Sequence, residues 1–173
     1  VGSTAERIAK RSSRPVLMVR QLPHEPYRRI LVPVDFSAWS RSAIELALQV
    51  APEATLVLMH AVELPFEGKM RIAGVAEETV SRYRDAARRE AQQRLHDLTA
   101  DVGLNADRVR LSTPSGADPW MLIVQDEQEQ DCDLVVIGRQ GRHAVDEFLL
   151  GSTTRMVISE GAADVLIASR RSG

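Results

Sequence analysis

Five short apolar runs, bounded by turn residues and separated by stretches of helical period, constrain this chain more than any other feature. They read as strands over residues 29–35, 54–62, 108–112, 133–138 and 165–168. The second run is almost continuously apolar, the pattern of a strand buried on both faces. The spacing predicts a helix over 37–50, with Ala43, Ile44, Leu46, Ala47 and Val50 on one face and Pro52 just past its end. A looser stretch holding Pro65 and Gly68 precedes a long charged helix over 77–102, with Ala86, Ala87, Ala91, Leu95 and Leu98 as core contacts and Gly103 as terminator. Further helices are expected over 118–129, with Pro119 in the tolerant first turn, and over 151–160. Strands alternating with helices imply right-handed crossovers and a parallel sheet covered on both faces, a doubly wound α/β fold.

Composition narrows the function classes. The 173 residues suit one globular domain with a little left over, and the net charge of −2 argues against a nucleic-acid or anionic-membrane surface as the main partner. No apolar run is long enough to span a membrane, and residues 1–10 lack the apolar core of a secretory signal. Cys132 is the only cysteine, so no internal disulfide can form, and a reducing, cytoplasmic setting is expected. His24 and His96 stand far apart without companion cysteines, so no zinc site can be argued.

The first twenty residues lie outside the alternating count. Gly2, Ser3, Thr4, Val16 and Leu17 match Gly151, Ser152, Thr153, Val165 and Leu166 at a constant offset. Two amphipathic helix–strand pieces can resemble one another by chance. The alternative, which a repeat invites, is that residues 1–24 are the terminal helix and strand of a truncated preceding copy plus a linker containing Pro23, with residues 25–173 as the domain proper.

A doubly wound sheet binds ligands outside the carboxyl ends of its strands, where the strand order reverses. The first strand ends in Pro33-Val34-Asp35-Phe36-Ser37 without the glycines of a dinucleotide turn, and Gly68-Lys69 lacks the rest of a Walker A loop. The fourth strand instead runs into Gly138-Arg139-Gln140-Gly141, followed after nine residues by Gly151-Ser152-Thr153 at the head of a helix. Glycines after a strand allow positive φ and close backbone approach, successive N–H groups form an anion nest, and a helix N-terminus adds a second phosphate cradle.

These residues resemble the universal stress protein family, in its nucleotide-binding branch. The resemblance runs from about Arg28 to Arg170 and rests on residues 30–37, on 58–62, and on 133–138 with the G-x2-G-x9-G-S loop. It implies an adenine nucleotide (ATP, ADP or AMP, with or without Mg2+) across the ends of strands one, two and four, in a Rossmann-like five-stranded sheet of order 3-2-1-4-5. By that resemblance Asp35 would hold the ribose hydroxyls and backbone at Pro33, Val34 and Ala61 would border the adenine. Ile137 and Gly138 would pack beneath the ribose, and Gly141, Gly151, Ser152 and Thr153 would hold the phosphates. Arg139 departs from the common pattern, where a small hydroxyl residue is frequent, and either binds phosphate or faces solvent. Ala61 departs where a larger aliphatic is frequent.

Simpler roles compete at several positions. Asp35 or Ser37 can cap the following helix; Arg142 can pair with phosphate or be a solvated loop residue; His143 is a lone loop histidine; His60 reads as a hydrogen-bonded core histidine; Cys132 reads as an inert small hydrophobe. The resulting expectation is an ATP-binding stress-response or signalling module acting through nucleotide-dependent conformation or partner binding, with a slow ATPase or phosphotransferase as the alternative. No general base, carboxylate pair or catalytic lysine converges on the glycine loop. The resemblance also implies dimers joined by antiparallel pairing of the last strand, and here residues 16–19 are expected to pair with 165–168 as an internal pseudo-dimer.

Overall fold

The computed structural model describes residues 7–9, 11–20, 22, 25–140 and 150–169. Its strands are β1 (Val16–Met18), β2 (Arg29–Pro33), β3 (Thr55–Met59), β4 (Val109–Ser112), β5 (Leu134–Gly138) and β6 (Asp164–Ala168). The helices are α1 (Ala38–Val50), α2 (Glu67–Ile72), α3 (Glu77–Asp101), α4 (Pro119–Glu129) and α5 (Ser152–Glu160), and residues 7–9 and 11 are also helical. The sheet has six strands in the order β1-β6-β5-β2-β3-β4. The expected five-stranded parallel sheet is therefore corrected to a mixed one. The strands β2 to β6 pair in parallel, while β1 joins the β6 edge antiparallel, Val16 opposite Ile167, Leu17 opposite Leu166 and Met18 opposite Val165.

Alternation along each strand divides the core into two layers. Ile30, Val32, Leu56, Leu58, Leu134 and Val136 face Ala43, Ile44 and Ala47 of α1 and Leu95 and Leu98 of α3. Leu31, Val57, Met59, Val135 and Ile137 face Ile123 of α4 and Val157 and Ile158 of α5. Each fully buried Leu, Ile or Val contributes on the order of 1.5–3 kcal/mol, so both faces of the central strands drive folding.

Several boundaries differ from expectation. β3 stops at Met59, and Val62 makes only an isolated bridge to Ser115. The loose stretch after it contains α2, too short and too exposed for periodicity to reveal. On α3, Val80 and Thr99 are buried while Ala86 is exposed; on α1, Val50 is exposed. Gly103 takes φ +69 just past the end of α3, as a helix terminator does. Of the two matching glycine motifs, Gly2, Ser3 and Thr4 lie outside the described residues, and Gly151 caps α5.

Candidate functional site

β2 and β5 are neighbours, and the chain leaves them on opposite sides of the sheet's midline, so their carboxyl ends flank the switch-point crevice. A cavity of about 430 Å³ opens there. Its wall includes Pro33, Val34 and Asp35 from the end of β2, Ala61 after β3, Ile137 and Gly138 from β5, and Gly151, Ser152 and Thr153 at the head of α5. Gly141, Arg142 and His143 lie outside the described residues.

Asp35 is held from α1. Its Oδ1 accepts the Ser37 N–H at 3.0 Å and the Ser40 hydroxyl at 2.7 Å, and its own N–H donates to Ser40 Oγ at 2.9 Å. The helix cap itself is Ser37, and it makes no side-chain capping bond. Between them Phe36 adopts φ +63, a left-handed conformation rare for an aromatic residue, and its ring meets that of His60 at 4.7 Å and the Arg94 guanidinium at 3.9 Å. His60 lines the cavity, where it was expected in the core; its Nδ1 is 2.7 Å from the Val34 carbonyl.

Gly138 is needed for a reason other than the one its position after a strand suggested. Among the described glycines positive φ occurs at Gly74 and Gly103, so Gly138 does not use that freedom. A Cβ built on Gly138 would lie 2.8 Å from Trp39 Cβ, so its smallness lets α1 press against the end of β5. At Gly151 a Cβ would meet nothing nearer than 3.5 Å, so the fold alone does not demand glycine there. The expected backbone nest is also partly spent: the Arg139 N–H donates to Ala168 O and the Gly151 N–H donates to Arg139 O. The first turn of α5, whose N–H groups have no intrahelical acceptor, is available to an anion. Thr154 ties that turn to β5 through a 3.0 Å hydroxyl bond to Gly138 O.

Arg139 neither lines the cavity nor faces solvent. It is buried, its guanidinium donates to the carbonyls of Ala9 and Ser12, and desolvation holds its pKa below the usual arginine value. Cys132 is buried as expected, and burial pushes its thiol up to about 12.

Sequence reasoning missed Trp39, Ser40, Met59, Glu63, Pro119, Ile123, Gln140 and Thr154, which also line the cavity. Ser40 and Thr154 had a readable signal, a hydroxyl one helical turn from a motif residue. Pro119 and Ile123 had none, because α4 reaches the cavity only through packing. Among the described residues no Lys or Arg lines it, and no cluster of His, Cys, Asp and Glu is arranged to hold a metal ion. No helix among them is long and apolar enough to cross a membrane.

A doubly wound α/β domain with a ligand-sized crevice at its switch point is thus defined by geometry alone. Residues 26–169 match the family model of the universal stress proteins, and the chain belongs to that family. It is 30% identical to universal stress protein A homolog 2 of Coxiella burnetii over 146 residues, 81% of this chain and 93% of that one. Universal stress protein MJ0577 of Methanocaldococcus jannaschii is 24% identical over 157 residues, and the solved MJ0577 structure superposes with a TM-score of 0.69 over 86% of this chain and all of that one. A universal stress protein from Archaeoglobus fulgidus, 22% identical with a TM-score of 0.66, covers 98% of this chain while this chain covers 56% of it. A universal stress protein solved in complex with cAMP is 24% identical with a TM-score of 0.52 over 83% of this chain.

Proposed function

We propose that the crevice binds an adenine nucleotide, ATP, ADP or AMP, and that the protein acts as a nucleotide-responsive stress or signalling module. The observation that carries this reading is the convergence of an acidic residue and a helix head on one cavity. Asp35, held by α1, stands at the end of β2, and Ser152 and Thr153 open α5 beyond β5. A carboxylate suits a sugar hydroxyl donor, and a helix N-terminus suits phosphate oxygens. The volume of about 430 Å³ lies in the range of small-molecule sites. Complex formation with cAMP by a protein of the same fold supports the adenine class.

In this reading Pro33, Val34 and Ala61 border the base, Ile137 and Gly138 lie under the sugar, and Gly151, Ser152 and Thr153 receive the phosphates, with Gly141 and Arg142 joining them from the loop. Asp35 and Glu63 give the described wall acidic character, so Mg2+ accompanying the nucleotide would offset repulsion of its phosphates. Isothermal titration of the protein with ATP, ADP and AMP tests the reading, and absence of binding by all three overturns it. Glu63 is also the one observation favouring a slow ATPase, as a carboxylate able to orient water; phosphate release abolished by Glu63→Gln would establish that alternative.

We further propose that residues 1–24 are the terminal unit of a preceding copy, forming an internal pseudo-dimer with the domain at 25–173. Support comes from the antiparallel β1–β6 pairing and from the Archaeoglobus fulgidus structure, which matches 98% of this chain with 56% of its own length.

A further inference from the structure

We infer that Arg139 is a positioning residue that couples the crevice to the N-terminal segment carrying β1. Ligand in the crevice fastens that segment against the sheet, and the seated segment in turn tightens ligand binding. This coupling rests on the adenine-nucleotide reading and adds to it the route by which occupancy reaches the N-terminal unit.

Arg139 stands between two residues of the cavity wall, Gly138 and Gln140. Its backbone joins three elements at the rim. It directly follows β5, its N–H donates to Ala168 O at the end of β6 at 3.2 Å, and its carbonyl accepts the N–H of Gly151, the cap of α5, at 3.0 Å. Its side chain turns away from the cavity and crosses to the N-terminal segment, donating to Ala9 O at 2.5 Å and to Ser12 O. Ala9 is fully buried, and the Ser12 N–H donates to Ile8 O at 2.9 Å, so both acceptors belong to one ordered turn. Arg20 makes the return contact, its guanidinium donating to Ile158 O and Gly161 O at the tail of α5. The helix whose head lines the crevice is therefore linked to the N-terminal segment near both of its ends.

A guanidinium only 7% exposed, with neutral carbonyls as acceptors and an Nε that has no hydrogen-bond partner among the described residues, is costly to bury. It stays buried only while the turn it grips is seated. β1 has three residues and pairs with β6 alone at the sheet edge, the kind of element that opens locally at small free energy. Seated and released segment are thus the two states. Release sends the guanidinium toward water and loosens the Gly138–Gly151 rim. A ligand whose phosphates engage the head of α5 binds the fixed rim better than the loose one, and each equilibrium then shifts the other by the same factor.

The test is hydrogen exchange of the full chain with and without the tightest-binding of ATP, ADP and AMP, together with titration of that nucleotide. Wild type is compared with Arg139→Gln and with Ile30→Val, which trims the core at the start of β2 and leaves the contact intact. In wild type the nucleotide should slow exchange at the amides of residues 16–18 about tenfold, within the usual range of coupling between sites. In Arg139→Gln that slowing should vanish and nucleotide affinity should fall by a similar factor, while Ile30→Val keeps both. Arg139→Lys, whose single ammonium replaces the two-pronged guanidinium, carries the same test if the glutamine variant does not fold. Nucleotide binding without slowing at residues 16–18, or slowing that survives in Arg139→Gln, overturns the inference and leaves the adenine reading standing. Equal loss of slowing in Ile30→Val does the same, because stability alone would then account for it. Failure of the wild type to bind any of the three nucleotides overturns both.

Discussion

Arg20 and Arg139 make matching bonds on opposite segments of the chain. Arg20 donates to the carbonyls of Ile158 and Gly161 at the C-terminal end of α5, and Arg139 donates to those of Ala9, at 2.5 Å, and Ser12 at the end of the N-terminal helical segment. Ala9 and Ser12 stand in the same positions relative to Gly2 as Ile158 and Gly161 do relative to Gly151. The last carbonyls of a helix lack intrahelical partners and carry partial negative charge, so a guanidinium there both satisfies and neutralises them. The two helix–strand segments are thus tied together by an arginine clamp at each end of the β1–β6 ladder.

Arg139→Gln should lower stability by about 1.5–3 kcal/mol, the worth of hydrogen bonds to a charged group. The loss should be local. Hydrogen exchange should speed up at the amides of residues 16–18 while those of β2 and β3 keep their protection, and equal acceleration throughout would count against a clamp.

Deletion of residues 1–20 should convert a covered strand into an open one. β6 is buried along its whole length with β1 on its outer side, and an uncovered apolar edge strand associates with a copy of itself. Sedimentation velocity should show a dimer for the shortened chain at concentrations where the full chain does not change its state.

Gly138 and Gly151 should separate folding from binding. Gly138→Ala places a methyl 2.8 Å from Trp39 Cβ and should cost about 1–3 kcal/mol, as overpacking does. Gly151→Ala meets nothing closer than 3.5 Å at φ −57 and should cost no more than about 1 kcal/mol, the scale of a cap change. On the proposed reading it should nonetheless weaken ATP binding by titration, because the methyl narrows approach to the head of α5.

Alkaline pH should destabilise the protein through a buried thiol and a partly buried phenol. Burial raises the Cys132 thiol from 9.0 to about 12. Burial first, and then the hydrogen bond from its hydroxyl to Asp164, raises the Tyr27 phenol well above its ordinary 10.0. A group with a raised folded pKa contributes stability that is complete below its unfolded value and is lost as pH climbs toward the folded one. Urea midpoints should therefore hold steady to about pH 9, then fall, at up to about 1.4 kcal/mol per pH unit for the buried thiol and by less for the partly exposed phenol. Cys132→Ala should remove the portion beginning near 9.0, and Tyr27→Phe the portion beginning near 10.0.

Much of the cavity wall was legible because it lies on strand ends and one helix head, where short motifs dictate backbone position. Asp35, Gly138 and Gly151 to Thr153 were found that way and line one cavity. Arg139 was misread because a guanidinium reaches far enough for its tertiary partners to decide its direction. Gly138 does not take the positive φ expected of it, and only the packed helix shows that Trp39 occupies the space of its missing side chain.

Local periodicity and turn chemistry act over a few residues, and from them alone follow the alternation of strands and helices, the doubly wound class and the crevice at the carboxyl ends. Contacts between distant segments obey no such short-range rule. The burial of Arg139 and the arrival of α4 at the cavity wall were decided when the helices packed onto the sheet, because only then do side chains far apart in sequence compete for the same space and the same hydrogen bonds.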